Sequence, residues 1–260
     1  MGILDTREYF PECKQSDSPI DEYFCRDKSF GRFENDGKEY VIETRATPRP
    51  WLQYLCNDKI ICCFTNVGQG FIRTATGFNV TKEWEPVYYH VRHPSGKRRL
   101  EINGKNFFEE AENFTVRIKV GGIVYEGTLD GFCVRAEMFV PETAPCECWR
   151  VTVENTGASR TVNLLAGQEW YFSFLEEHSN TPIEITENGG ALYAEKDALC
   201  GVFITSAEDT ASCEKAFEKR LDGLDVEIAK ATLSHTVGIE ENSVYKWYVV
   251  SGVYENDEEK

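Results

Sequence analysis

The feature that most constrains this chain is the alternation of apolar and polar residues in short runs, each run cut off by a turn dipeptide. In Val134-Arg-Ala-Glu-Met-Phe-Val140 one face carries Val134, Ala136, Met138 and Val140, while Arg135 and Glu137 point the other way. Trp149-Arg-Val-Thr-Val-Glu154 and Thr115-Val-Arg-Ile-Lys-Val120 repeat the pattern. Successive side chains of a strand point to opposite faces, so each run sets one face in a core and the other in water. Further strands are expected at Tyr40–Thr44, Ile60–Asn66, Thr161–Ala166, Gly201–Thr205, Ala229–Thr236 and Tyr245–Tyr254. Between the runs stand Asp36-Gly37, Asn103-Gly104, Gly121-Gly122, Asp130-Gly131, Asn155-Thr-Gly157, Asn188-Gly-Gly190 and Asp222-Gly223. Such pairs supply the positive φ that tight hairpins require. Many short strands joined this way predict an all-β sandwich or barrel. A single main helix is expected at Glu208–Leu221, acidic at its start and closed by Lys219-Arg220 in accord with the helix dipole.

A chain of 260 residues can form one large β domain. Residues 1–30 mix Pro, Asp, Ser and aromatics without alternation and read as a partly ordered arm ahead of a sandwich over 31–260. The balance of 28 Lys+Arg against 44 Asp+Glu gives a formal net charge of −16. Such a surface repels phosphate backbones and anionic lipid, which argues against nucleic acid or membrane as partners and leaves neutral sugars without objection. No apolar run is long enough to cross a bilayer. The opening Met-Gly-Ile-Leu-Asp-Thr-Arg-Glu lacks the basic and apolar regions of a signal peptide, so a cytoplasmic location is expected.

In a reducing compartment the ten cysteines read as free thiols, mostly small buried hydrophobes. Cys62-Cys63 are adjacent, Cys146 and Cys148 are two apart, and no C-x-x-C occurs, so neither a zinc ribbon nor a redox motif can be drawn. His90-x-x-His93 lies in strand and turn with no third ligand at a recognisable spacing. No metal and no cofactor is expected.

From Gly31 onward the chain resembles the inverting glycoside phosphorylases of the cellobiose and cellodextrin phosphorylase type. The resemblance is carried by Gly31-Arg-Phe-Glu-Asn-Asp-Gly-Lys-Glu-Tyr-Val-Ile42, Thr47-Pro-Arg-Pro-Trp-Leu-Gln-Tyr-Leu55, Thr65-Asn-Val-Gly-Gln-Gly-Phe71, Trp84-Glu-Pro-Val87, Phe139-Val-Pro141 and Trp149-Arg-Val-Thr-Val-Glu-Asn-Thr156. These stand in the family's order over residues 31–254, and the Thr-Pro-Arg-Pro-Trp stretch is the most specific. The resemblance implies a large twisted antiparallel β-sandwich, a supersandwich of the galactose mutarotase type with one or a few short helices. It also implies a helical linker and a helical barrel that holds the general acid and the phosphate site. The sequence ends at Tyr254-Glu-Asn-Asp-Glu-Glu-Lys260, about where that linker would begin, so the catalytic barrel is expected to lie outside it. Where the family carries an Arg-His-Gly-Leu-Gly-Tyr-Thr-like segment, this chain has Arg117-Ile-Lys-Val-Gly-Gly-Ile123, which keeps the arginine and loses the histidine and tyrosine.

No residue is assigned a catalytic role. Acidic pairs such as Glu109-Glu110, Glu176-Glu177 and Glu240-Glu241 are commonplace in a chain with 44 carboxylates. No G-x-S-x-G occurs, and Gly68-x-Gly70 has neither the helix nor the lysine of a phosphate loop. Of five tryptophans, Trp149 and Trp247 fall in alternating strands and read as core. Trp51 after Pro50 and Trp84 between two glutamates are the better candidates for a sugar- or partner-facing position, with Arg49, Gln69, Phe71, Arg73 and, from the resemblance, Arg117.

The expected function is therefore that of a non-catalytic amino-terminal module of a phosphorylase-like glycosyltransferase acting on β-glucosides. It would pack on the missing barrel and take part in a homodimer, with phosphorylase activity only when joined to that barrel. The alternatives are a free-standing sugar-binding or mutarotase-like protein, for which His90, His93, His178 and His235 are the available histidines, or one half of a split phosphorylase.

Overall fold

The alternating runs become strands of two antiparallel sheets. The computed structural model describes residues 30–47, 50–74, 79–81, 98–173, 184–196, 200–206, 210–219 and 225–255. The chain divides into two compact units, Met1–Phe30 and Gly31–Lys260, and all the strands described belong to the second.

Numbered in chain order, the ten-stranded sheet runs β1 (Gly31–Glu34), β2 (Glu39–Ile42), β9 (Glu112–Lys119), β10 (Gly122–Leu129), β11 (Phe132–Phe139), β12 (Cys146–Asn155), β19 (Ser243–Glu255), β16 (Cys200–Thr205), β15 (Ala191–Lys196) and β14 (Glu184–Asn188). The other sheet runs β17 (Thr210–Lys219), β18 (Asp225–Ile239), β13 (Arg160–Ser173), β6 (Asn79–Thr81), β5 (Gly70–Thr74), β4 (Ile60–Thr65) and β3 (Leu52–Cys56). β7 (Arg99–Ile102) joins it on β13 and pairs with β8 (Lys105–Asn106). This is the expected all-β supersandwich.

Turn chemistry sets the register of several hairpins. Asn103-Gly104 adopts φ of 53° and 77°, and Asp130-Gly131 adopts 51° and 75°, the paired left-handed conformation of a two-residue hairpin turn. The second turn places Leu129 opposite Phe132 and so aligns the whole of β10 with β11.

The core lies between the sheets. Register places Met138 opposite Trp149 and Trp149 opposite Val249, with Ala136, Val151 and Trp247 in the next row. All six are buried, so the tryptophans at 149 and 247 are core as their alternation predicts. Trp170, Phe64 and Ile72 meet them from the facing sheet. A short helix, α1 (Phe107–Glu110), adds Phe107 and Phe108 to the same core. Its first turn is capped by the Asn106 side chain, which accepts from the Phe108 N–H.

One expectation is corrected. The segment read as a helix at Glu208–Leu221 contains β17, which pairs with β18 from Thr210 opposite Ser234 to Lys219 opposite Asp225. Its end charges are each worth only about 0.3–1 kcal/mol to a helix. Against that stand a ten-residue ladder and a period-two pattern in which Ala211 is buried between exposed Thr210 and Ser212. Tertiary pairing decides the conformation.

The outer face of the ten-stranded sheet is an ion-pair ladder. Arg117 donates to Glu34 at 2.6 Å and Glu126 at 3.0 Å, Arg135 also reaches Glu126, and Lys119 and Arg150 both reach Glu137. Hydrogen bonds from Arg117 and Arg32 hold the Glu34 carboxyl below its usual range. For Glu137 burial acts upward, but the bonds from Lys119 and Arg150 win and its pKa is lowered. Asn103 and Lys105 lower Asp130 in the same way. A carboxyl depressed in the folded state contributes stability above its unfolded pKa and loses it as pH falls through the folded one. The urea midpoint should therefore be flat from about pH 7 to 5 and fall progressively below about pH 4.5. An unchanged midpoint down to about pH 3 would contradict this account of the ladder.

Candidate functional site

The β3–β4–β5 corner of the second sheet collects the sequence-predicted site residues that the structure describes, apart from Arg117. Tyr54 lies opposite Cys63, and Cys63 opposite Phe71, so these three form one row on the outward face. Leu52 and Tyr54 are exposed and Phe71 is half-buried, its ring edge-on to that of Tyr54 at 6.1 Å.

Local chemistry fixes the corner. Thr65 closes the β4–β5 turn: its N–H donates to the Gln69 carbonyl at 2.9 Å, and its hydroxyl oxygen accepts from the Gln69 N–H at 2.9 Å. The Tyr125 hydroxyl, on the other sheet, donates to the Thr65 carbonyl at 2.6 Å. Burial pushes that phenol's pKa up, so it stays a donor. Buried Asn66 pins the start of β3, accepting from the Trp51 N–H at 2.8 Å and donating to the Trp51 carbonyl at 3.1 Å. The Trp51 ring then packs 5.4 Å from Tyr40, against the edge of the core.

Beneath this corner lies a buried polar network. Arg98, 4% exposed, donates to both oxygens of Glu147, Nε to Oε1 at 3.0 Å and Nη2 to Oε2 at 2.7 Å. It also donates to the carbonyls of Cys63 at 3.0 Å, Gln69 at 3.4 Å and Phe71 at 3.5 Å, which grips the β4–β5 hairpin from inside. Glu147, fully buried on β12, accepts further bonds from Trp149 Nε1 at 2.8 Å and Gln168 Nε2 at 2.6 Å. Gln168 in turn accepts from the Ser251 hydroxyl at 2.6 Å. Desolvation works against the Arg98 cation, but the charge and hydrogen bonds of Glu147 outweigh it, and its pKa is raised. The network thus couples the exposed corner to the centre of the facing sheet.

The predicted residues divide as follows. Trp51, Gln69 and Phe71 come together at the corner. Arg73 lies in β5, paired with Ile61 and Asn79. Arg117 belongs to the ion-pair ladder of the other sheet. Arg49 and Trp84 lie outside the described residues.

Sequence reasoning missed Arg98, Glu147, Gln168 and Ser251. For three of them a signal exists: Glu147 is in phase with inward Trp149 and Val151, Gln168 with Ala166 and Trp170, and Ser251 with Val249 and Val253. A polar residue in the inward phase needs a buried partner. Arg98 carries no such mark.

A polar depression of about 550 Å³ opens where β3 ends, lined by Cys56, Asn57, Asp58, Lys59, Glu142 and Thr143. Its two walls are tied by Asn57, which donates to the carbonyls of Pro141 and Ala144, both at 2.8 Å. The carboxylates, ammonium and hydroxyl around it offer hydrogen-bond donors and acceptors to a polar ligand. Among the described residues no helix is long and apolar enough to cross a membrane.

Residues 38–198 match the family described as "Glycosyl hydrolase 94, supersandwich domain". No curated protein matches the chain. Among solved structures, a putative kojibiose phosphorylase from human microbiome superposes with a TM-score of 0.52 at 7% identity, covering 88% of this chain and 34% of that one. A putative aldose 1-epimerase from Escherichia coli K12 gives 0.47 at 10% identity over 79% of this chain and 99% of that one. The heparan sulfate lyase HepC from Pedobacter heparinus gives 0.45 at 10% identity over 86% and 38%. The first of these shares the fold, and this chain spans about a third of its length.

Proposed function

This chain belongs to the glycosyl hydrolase 94 supersandwich-domain family, and from that membership we propose that it is the non-catalytic support and docking module of a phosphorylase-like protein acting on β-glucosides such as cellobiose. One observation carries the reading: the matched family is defined on the sandwich itself, and the described residues of this chain are that carbohydrate-associated sandwich with one four-residue helix. In this reading the acid and phosphate chemistry belongs to a separate helical barrel, and the sandwich supplies surface.

The β3–β5 corner is the proposed docking surface, with Trp51, Gln69, Phe71 and Arg73 as its contact residues and Arg49 and Trp84 assigned to it from the sequence. Sheet edges are normally protected by charge. Among the described residues, the edge strands β1, β14 and β17 all carry charged side chains, whereas β3, Leu52-Gln-Tyr-Leu-Cys56, carries none. In a chain of net charge −16, an uncharged strand is where a second copy meets the least repulsion. A symmetric dimer through this corner follows, since closed two-fold pairing is the commonest arrangement.

The purified chain should release no glucose 1-phosphate from cellobiose and phosphate, and release by the chain alone would sink the non-catalytic reading. Light scattering should show a dimer at high micromolar concentration that Leu52→Glu converts to monomer. A wild-type monomer removes the dimer, and a dimer that survives Leu52→Glu moves it elsewhere.

A further inference from the structure

The sequence contains two Asn-Gly dipeptides, and the fold treats them differently. Asn103 opens the β7–β8 turn, and its side-chain amide is held at both ends: Nδ2 donates to Asp130 Oδ2 at 2.7 Å, and Oδ1 accepts from the Asn163 N–H at 2.9 Å. Asn188 is the last residue of β14, paired with Ala191 across the turn Gly189-Gly190. These two glycines have φ of 61° and 80°. Asn188 and Gly189 are both exposed, and an added Cβ at Gly189 would meet nothing within 4 Å. Among the described residues no hydrogen bond holds the Asn188 side chain. β14 pairs with β15 alone and forms one edge of the ten-stranded sheet. A short edge strand opens locally more readily than a central one.

We propose that Asn188-Gly189 is a site of spontaneous isoaspartate formation, and that the modification releases the edge strand β14. Glycine puts no side chain in the way of its own backbone nitrogen. The Gly189 nitrogen attacks the side-chain carbonyl carbon of Asn188 and a carbon–nitrogen bond forms. The side-chain NH2 leaves with the Gly189 amide proton as ammonia, which closes a cyclic imide. Water then opens the ring at either carbonyl. One opening gives aspartate, and the other gives isoaspartate, whose main chain runs through the former side chain and is one carbon longer. Water is the single co-reactant. At Asn103 the same closure must first break the bonds to Asp130 and Asn163, so an identical dipeptide is protected. An extra main-chain carbon at position 188 is incompatible with the pairing of Asn188 and Ala191, and the new carboxylate joins Glu184 and Glu187 on a five-residue strand. Once β14 is released, β15 becomes the edge, and its first four residues, Ala191-Leu-Tyr-Ala194, carry no charge to guard it.

The test incubates the purified full chain, folded, in mildly alkaline buffer made with heavy-oxygen water, and follows both peptides by chromatography and mass. Asn188 should convert to a mixture of isoaspartate and aspartate, each carrying solvent oxygen. It should do so at least about 10-fold faster than Asn103, because each hydrogen bond that must break slows ring closure severalfold. In urea both dipeptides lose their surroundings, and the two rates should become similar. Hydrogen exchange of the isoaspartate form should then show lost protection in β14, with β12 and β19 unchanged. Equal rates in the folded chain overturn the site, as does an Asn188 that converts in urea but not when folded. Aspartate without isoaspartate would mean direct hydrolysis and also overturns it. Unchanged protection of β14 in the isoaspartate form removes the release of the strand. None of these readouts depends on the docking role.

Discussion

Replacing Arg98 by methionine should destabilise the fold by about 3–5 kcal/mol, read as a large drop in the urea midpoint. Glu147 is fully buried, and its two oxygens take four of the bonds described above. Without the guanidinium it becomes a buried carboxylate facing only neutral donors. The Cys63, Gln69 and Phe71 carbonyls each lose the guanidinium as a donor at the same time, so the β4–β5 hairpin loosens. Removing both charges is a different experiment. A buried ion pair replaced by apolar residues of similar volume is often neutral. Arg98→Met combined with Glu147→Met should therefore recover part of the loss, but not all, because Trp149 and Gln168 are left without their acceptor. A loss under about 1 kcal/mol for Arg98→Met alone would mean that water reaches Glu147 and that the network is not the closed one described.

Gly70→Ala should be comparably severe, costing about 2–5 kcal/mol from backbone strain and overpacking together. Gly70 has φ of 147°, outside the range L-residues adopt readily, and an added Cβ would stand 1.9 Å from the Cys63 carbonyl oxygen and 2.5 Å from Arg98 Nη1. The carbonyl belongs to the paired strand and cannot step aside without breaking the β4–β5 ladder. Gly37→Ala is the control. Its φ of 81° is also left-handed, but nothing lies within 4 Å of the added carbon, so it should cost only about 1 kcal/mol. Equal midpoints for the two variants would show that φ alone, and not the crowding at Gly70, sets the cost.

The alternating runs around Val134, Trp149 and Thr115 were legible because a strand's two faces are set by the chain itself, whatever lies across from them. The dipeptides Asn103-Gly104 and Asp130-Gly131 were legible for the same reason, since their left-handed conformations are intrinsic to the residues. The family resemblance found the Thr65–Phe71 turn and Trp51, which the structure joins through Asn66. It did not separate Arg117 from them, because sequence order does not say which sheet a strand will join.

By itself, then, the sequence determined the all-β class, the hairpin turns, the inward tryptophans and the family. Tertiary structure decided what depends on a partner distant along the chain. Residues 210–219 are a strand only because β18 lies alongside, overriding end charges that suit a helix. Arg98 meets Glu147 only because the two sheets stack face to face, bringing together groups 49 residues apart. Periodicity is a local property and can be read from one segment at a time. Which buried charge finds its counter-charge is set by the packing of all of them.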